Sequence, residues 1–140
     1  MPIQDLARED VVSASPEASV SELAQMMRDK KVGSVVITND DHPVGIATDR
    51  DLTTRVLAEE AQTEEKTAEE VMTPDICAVD TETGFYEAAQ VMSENGVRRL
   101  PVCNDNDELI GIITADDLTE LLAEEHEYLA SIIQAQRPAY

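Results

Sequence analysis

Two stretches of this 140-residue chain share one chemical pattern: Gly45-Ile-Ala-Thr48-Asp-Arg-Asp51 and Gly111-Ile-Ile-Thr114-Ala-Asp-Asp117, 66 positions apart. A threonine three residues before an aspartate can close a capping box, in which each side chain satisfies a free backbone amide at a helix start. The acid there also meets the positive end of the helix dipole. The same short carboxylate can instead accept both hydroxyl hydrogens of a ribose while the threonine and the first helical amides face an anion. One motif can do both. Gly45 and Gly111, just before the turn, permit close approach of either a planar base or another strand.

Other chemistries find less support. Cys77 and Cys103 lie 26 positions apart with no CxxC spacing, which suits two small buried side chains better than a disulfide or a zinc site. His42 and His126 have no partner at metal-ligand spacing and read as solvated. No nucleophile elbow or HExxH occurs, and carboxylate pairs are simply abundant, so no enzyme is expected. Thirty acidic against ten basic residues give a net charge of −20. That field repels nucleic acid and anionic lipid. It suits a salt-rich cytoplasm or an acidic interaction surface. No run reaches the 18 or so apolar residues of a membrane span, and the first ten residues lack a signal peptide's basic start; a cytoplasmic protein is expected.

The elements that must carry the doubled motif repeat as well. Residues 10–52 align with 75–118 at an offset of 65 to 66, with one extra residue near Asp107. Each half opens with a short β-prone piece (Val11, Val12; Ile76, Val79). An amphipathic helix follows, with Val20, Leu23, Met26 and Met27, or Phe85, Ala88, Val91 and Met92, at helical spacing. Ser19 and Glu22 predict a reciprocal cap at the first of these helices, and Gly96 suits the end of the second. Strands at 35–37 and 100–102, loops TNDDHP and CNDNDE, and second strands ending at Gly45–Ala47 and Gly111–Ile113 predict two hairpins. A closing helix then presents Leu52, Val56 and Leu57, or Leu118, Leu121 and Leu122, inward. The repeat reads β-α-β-β-α. Residues 58–70 read as a solvated connection ending in a helical turn before Pro74, and Met26, Met27, Met72 and Met92 as core fillers.

The order of elements, GVRRLPV before the second hairpin and GhhTxxD after each resemble the CBS domain, named for cystathionine β-synthase. The chain is identified as a tandem pair, a Bateman module of the α/β (α+β) class: repeat one at 6–60, a connection at 61–71, repeat two at 72–122, and a helical extension with its tail at 123–140. The resemblance implies two pseudo-symmetric clefts with adenosine-type sites, Asp51 or Asp117 on the ribose and Thr48 or Thr114 near sugar and phosphate. It also directs Arg98 and Arg99 at the central cleft as phosphate contacts, their counterparts Gly33 and Ser34 being neutral; ion pairing with nearby acids is the alternative. The expected ligand is an adenine nucleotide, AMP, ADP or ATP, with S-adenosylmethionine, NAD or an unliganded interaction scaffold as alternatives, and no obligatory cofactor. From 116 to 136 the last helix outruns its counterpart and keeps an apolar stripe (Leu129, Ile132, Ile133), for which a homodimer is expected. With no effector domain in these residues, signalling would pass to a separate protein.

Overall fold

A computed structural model describes residues 2–76 and 78–139, with the side chain of Gln4 left aside. The expectation for Cys77 lies outside the described residues, while Cys103 is buried as expected. Repeat one contains β1 (Ser13–Ala14), α1 (Val20–Lys30), β2 (Ser34–Asn39), β3 (His42–Thr48) and α2 (Asp49–Leu52). A short α3 (Ala68–Val71) and β4 (Thr73–Pro74) follow. Repeat two contains β5 (Val79–Asp80), α4 (Phe85–Asn95), β6 (Arg99–Cys103), β7 (Leu109–Thr114) and α5 (Ala115–Gln136). The expected β-α-β-β-α order is present twice.

Helix spacing converts directly into burial. α1 buries Val20, Leu23 and Met27, and α4 buries Ala88 and Met92. Met26 and Met72 pack at the edge of the first core. Only half of the reciprocal cap on α1 forms: Ser19 Oγ accepts the Glu22 N–H at 3.1 Å. The first-turn amides of Val20 and Ser21 are satisfied instead by the carbonyls of Lys66 and Thr63, at 2.9 and 3.1 Å. The acidic connection is therefore bonded onto repeat one, and its Ala68 and Val71 lie fully inside that repeat's core.

In each sheet a short parallel strand leads into a hairpin. β1 runs parallel to β2 and β2 antiparallel to β3. The hairpin turns at Asp40 and Asp41, both with positive φ (51° and 66°), the mirror-image turn whose twist matches paired strands. β5, β6 and β7 repeat the pattern. The third pairing is exchanged between halves. β4, which precedes repeat two, adds to β3 of repeat one with Ile46 opposite Thr73. The N-terminal segment adds to repeat two, where Arg8 and Ile112 exchange backbone hydrogen bonds of 2.9 and 3.1 Å. Ile3 is consequently buried in the second core with Leu100, Val102 and Ile113. The hairpins also touch, with His42 Nδ1 at 2.9 Å from the Asp107 carbonyl.

Two inner-face expectations fail. Leu57 is 74% exposed; it closes Thr53–Leu57, a π-helix in which Ala58 N–H donates to the Thr53 carbonyl and Val56 is the buried side chain. Leu122, expected inside, is also exposed.

A candidate ligand site between the repeats

Thr48 ends β3 and caps α2; Thr114 ends β7 and caps α5. Both capping boxes close. Asp51 Oδ2 accepts the Thr48 N–H at 2.9 Å while Thr48 Oγ1 accepts the Asp51 N–H at 3.2 Å. Asp117 Oδ2 and Thr114 Oγ1 make the equivalent pair at 3.0 and 3.1 Å. A cap occupies one oxygen of each carboxylate and leaves Oδ1 for other work.

The two leftover oxygens meet different surroundings. Asp51 is half-buried, and the one cation near its Oδ1 among the described residues is Arg55, whose Nε lies 3.9 Å away. Asp51, Thr48, Arg98 and Arg99 share the wall of one cleft of about 460 Å³ between the repeats. Asp117 is 9% exposed, and its Oδ1 is held by Arg8 Nη2 at 2.9 Å and Nε at 3.3 Å. Burial pushes the Asp117 carboxyl up, but the hydrogen bonds from Arg8 and Thr114 outweigh it and hold the group below the usual carboxylate value. The second cleft, about 290 Å³, is lined by Thr114, Arg8, Lys31, Arg98 and Arg99 but not by Asp117.

The structure thus brings Thr48, Asp51, Arg98 and Arg99 together and sets Asp117 behind Arg8. Arg98 and Arg99 line both clefts, because their counterparts are small: a Cβ on Gly33 would stand 3.2 Å from Arg99 Nη2. The ion-pair alternative applies to Arg98, whose Nη2 lies 3.2 Å from Asp116 Oδ1. Gly45 and Gly111 line neither cleft. A Cβ on Gly45 would overlap Met72 Sδ and stand 2.9 Å from the Thr73 carbonyl oxygen; on Gly111 it would stand 3.2 Å from Ala7 Cβ and the Arg8 carbonyl oxygen. What approaches these glycines is the exchanged third strand, so close strand packing explains both.

Sequence reasoning passed over Arg8 and Lys31. Arg8 carries no local motif, but Lys31 was visible in the repeat alignment as the residue standing where the second copy has Gly96. Among the described residues no helix is long and apolar enough to cross a membrane, and no group of three or more His, Cys, Asp or Glu residues is placed to hold a metal.

Two exchanged β-α-β-β-α units, with capped TxxD helices at the seam, define a tandem pair of one repeated domain. The CBS domain pattern matches residues 3–58 and 68–124, and the chain belongs to the CBS domain family. An uncharacterized protein of Methanopyrus kandleri is 36% identical over 135 residues, covering 96% of this chain and 67% of that protein. Hypoxic response protein 1 of Mycobacterium tuberculosis is 32% identical over 122 residues, 86% of this chain and 85% of the other. The solved CBS domain protein of Pyrobaculum aerophilum complexed with AMP superposes with a TM-score of 0.76 at 25% identity, over 84% of this chain and 89% of that one.

Proposed function

We propose that this chain is a non-catalytic regulatory module that binds an adenine nucleotide of the AMP, ADP or ATP class and signals, as a cytoplasmic homodimer, to a separate protein. Asp51 carries the reading. Its capping oxygen is occupied, its other oxygen has, among the described residues, only Arg55 at 3.9 Å for a cation, and it lines a cleft shared with Thr48, Arg98 and Arg99. An acceptor for sugar hydroxyls beside two guanidinium forks is the donor and acceptor set that a nucleoside phosphate requires. A cavity of about 460 Å³ falls within the range of small-molecule sites, roughly 300–1,000 Å³. The AMP complex of the Pyrobaculum relative lends support from within the family.

The homodimer reading rests on α5. Its 22 residues extend about 33 Å, and beyond Leu118 they leave Leu122, Tyr128, Leu129, Ile132 and Ile133 exposed. A ligand would act by favouring one arrangement of the repeats through unequal contacts with each.

The test is a thermal-shift panel of AMP, ADP, ATP, S-adenosylmethionine and NAD in potassium chloride. At about 100 times Kd a ligand stabilises the fold by about 2.7 kcal/mol, several degrees in Tm. Asp51→Ala, weakening binding roughly 10- to 100-fold, should cut the shift to about half or less, and Asp117→Ala should retain it. If no adenosyl ligand moves the melt, the interaction-scaffold reading replaces this one.

A further inference from the structure

Four of the ten basic residues in this chain of net charge −20 line the Thr114 cleft: Arg8, Lys31, Arg98 and Arg99. Asp10 and Asp116 are the carboxylates on the same wall. Arg98 is engaged by Asp116 and Arg8 by Asp117. Among the described residues, Lys31 and Arg99 have no carboxylate oxygen within 4.0 Å. Like charges gathered on a wall repel one another unless an anion completes the set.

The backbone supplies an independent observation. Lys31 ends α1 in the left-handed conformation, φ 56° and ψ 46°. At the equivalent position α4 ends on Gly96, φ 63° and ψ 35°. Glycine takes this conformation without steric cost, whereas a residue with a Cβ is strained there. The fold accepts glycine at this cap, yet repeat one holds a lysine, and that lysine lies on the wall of the cationic cleft.

A nucleoside is poorly served in the same place. The oxygen that would take ribose hydroxyls belongs to Arg8. The cavity of about 290 Å³ sits at the lower limit for drug-sized ligands, about 300 Å³. A short phosphate chain needs no carboxylate acceptor, only cations that reach several oxygens at once.

We propose that the Thr114 cleft binds a short phosphate chain of the pyrophosphate or triphosphate class, without a nucleoside, with Lys31 and Arg99 as its unpaired anchors and Arg8 closing the ribose position. The assignment deepens the reading of these clefts as ligand sites and rests on it, while separating the two clefts by ligand class.

Calorimetric titration of the full chain with pyrophosphate, and separately with AMP, tests it. Pyrophosphate should bind once per chain, more weakly as potassium chloride is raised. Lys31→Gly should keep or raise Tm while weakening pyrophosphate at least tenfold, an effect that a general loss of folding could not produce. Asp51→Ala should leave pyrophosphate binding unchanged. Absence of pyrophosphate binding to the unaltered chain, unchanged binding in Lys31→Gly, or loss of pyrophosphate binding in Asp51→Ala would each overturn the proposal. Failure of AMP to bind while pyrophosphate binds would remove the nucleotide reading alone.

Discussion

Arg8 Nη2 lies 2.9 Å from Asp117 Oδ1 across 109 positions of sequence, and this one ion pair makes two nearly identical motifs chemically unequal. Asp51 keeps an oxygen available at a cleft; Asp117 has committed both of its own. The pair exists because the N-terminal segment crosses to the second sheet and places Arg8 opposite Ile112, directly over the start of α5.

Arg8→Ala should destabilise the fold by about 0.5–1.5 kcal/mol at neutral pH. That is the usual value of a hydrogen bond to a charged group, reduced because the Arg8 side chain is 65% exposed and screened by water. The Asp117 carboxyl sits below its ordinary value of 3.8 in the folded chain. Its contribution is therefore complete above that value and is lost as pH falls through the lowered folded value. Urea melts of both chains at neutral pH and at about pH 3 should show the gap narrowing in acid; a gap independent of pH would assign the loss to something other than this ion pair.

Asp51→Ala should weaken adenine nucleotide binding by roughly 10- to 100-fold, or about 1.5–3 kcal/mol, for hydrogen bonds to a charged acceptor. Asp51→Asn keeps an oxygen for the Thr48 amide, so it should restore the cap more fully than it restores binding. Titration calorimetry beside thermal melts separates the two effects; equal recovery of both would deny the carboxylate any role beyond the cap.

Gly45→Ala should cost more stability than Gly111→Ala. The first Cβ overlaps Met72 Sδ and presses on the Thr73 carbonyl oxygen, whereas the second meets its neighbours at 3.2 Å. Overpacking of this kind costs about 1–3 kcal/mol, and denaturant midpoints would rank the pair. The reverse ranking would mean that β4 yields more easily than the N-terminal segment.

Leu129→Glu combined with Ile133→Glu should leave the fold's Tm nearly unchanged, since both side chains are exposed on α5. The same double change should convert a homodimer to a monomer in sedimentation equilibrium. An unaltered dimer would place the interface elsewhere.

Much of the architecture was legible because its causes are local. The TxxD spacing specifies a capping box whatever surrounds it, and both boxes formed. Gly96 ended its helix with positive φ as its type suggests. Apolar spacing over Val20, Leu23 and Met27 selected one helical face. No residue in TTRVL announces a π-helix, and helical spacing alone does not show that the cores take in Val56 and Leu118 but leave Leu57 and Leu122 exposed.

The sequence by itself determined two β-α-β-β-α repeats, their capped helices and an acidic chain poor in cations, since those follow from side-chain type and spacing over a few residues. Only the tertiary structure decided that the segment before each repeat completes the other's sheet, that Arg8 closes one motif, and that Arg98 and Arg99 line both clefts. Those outcomes depend on which distant surfaces bury each other, Ile3 against Leu100 and Ile113 and Ala68 and Val71 against Leu23 and Val35, and burial of that kind leaves no periodic trace in the residues that will meet.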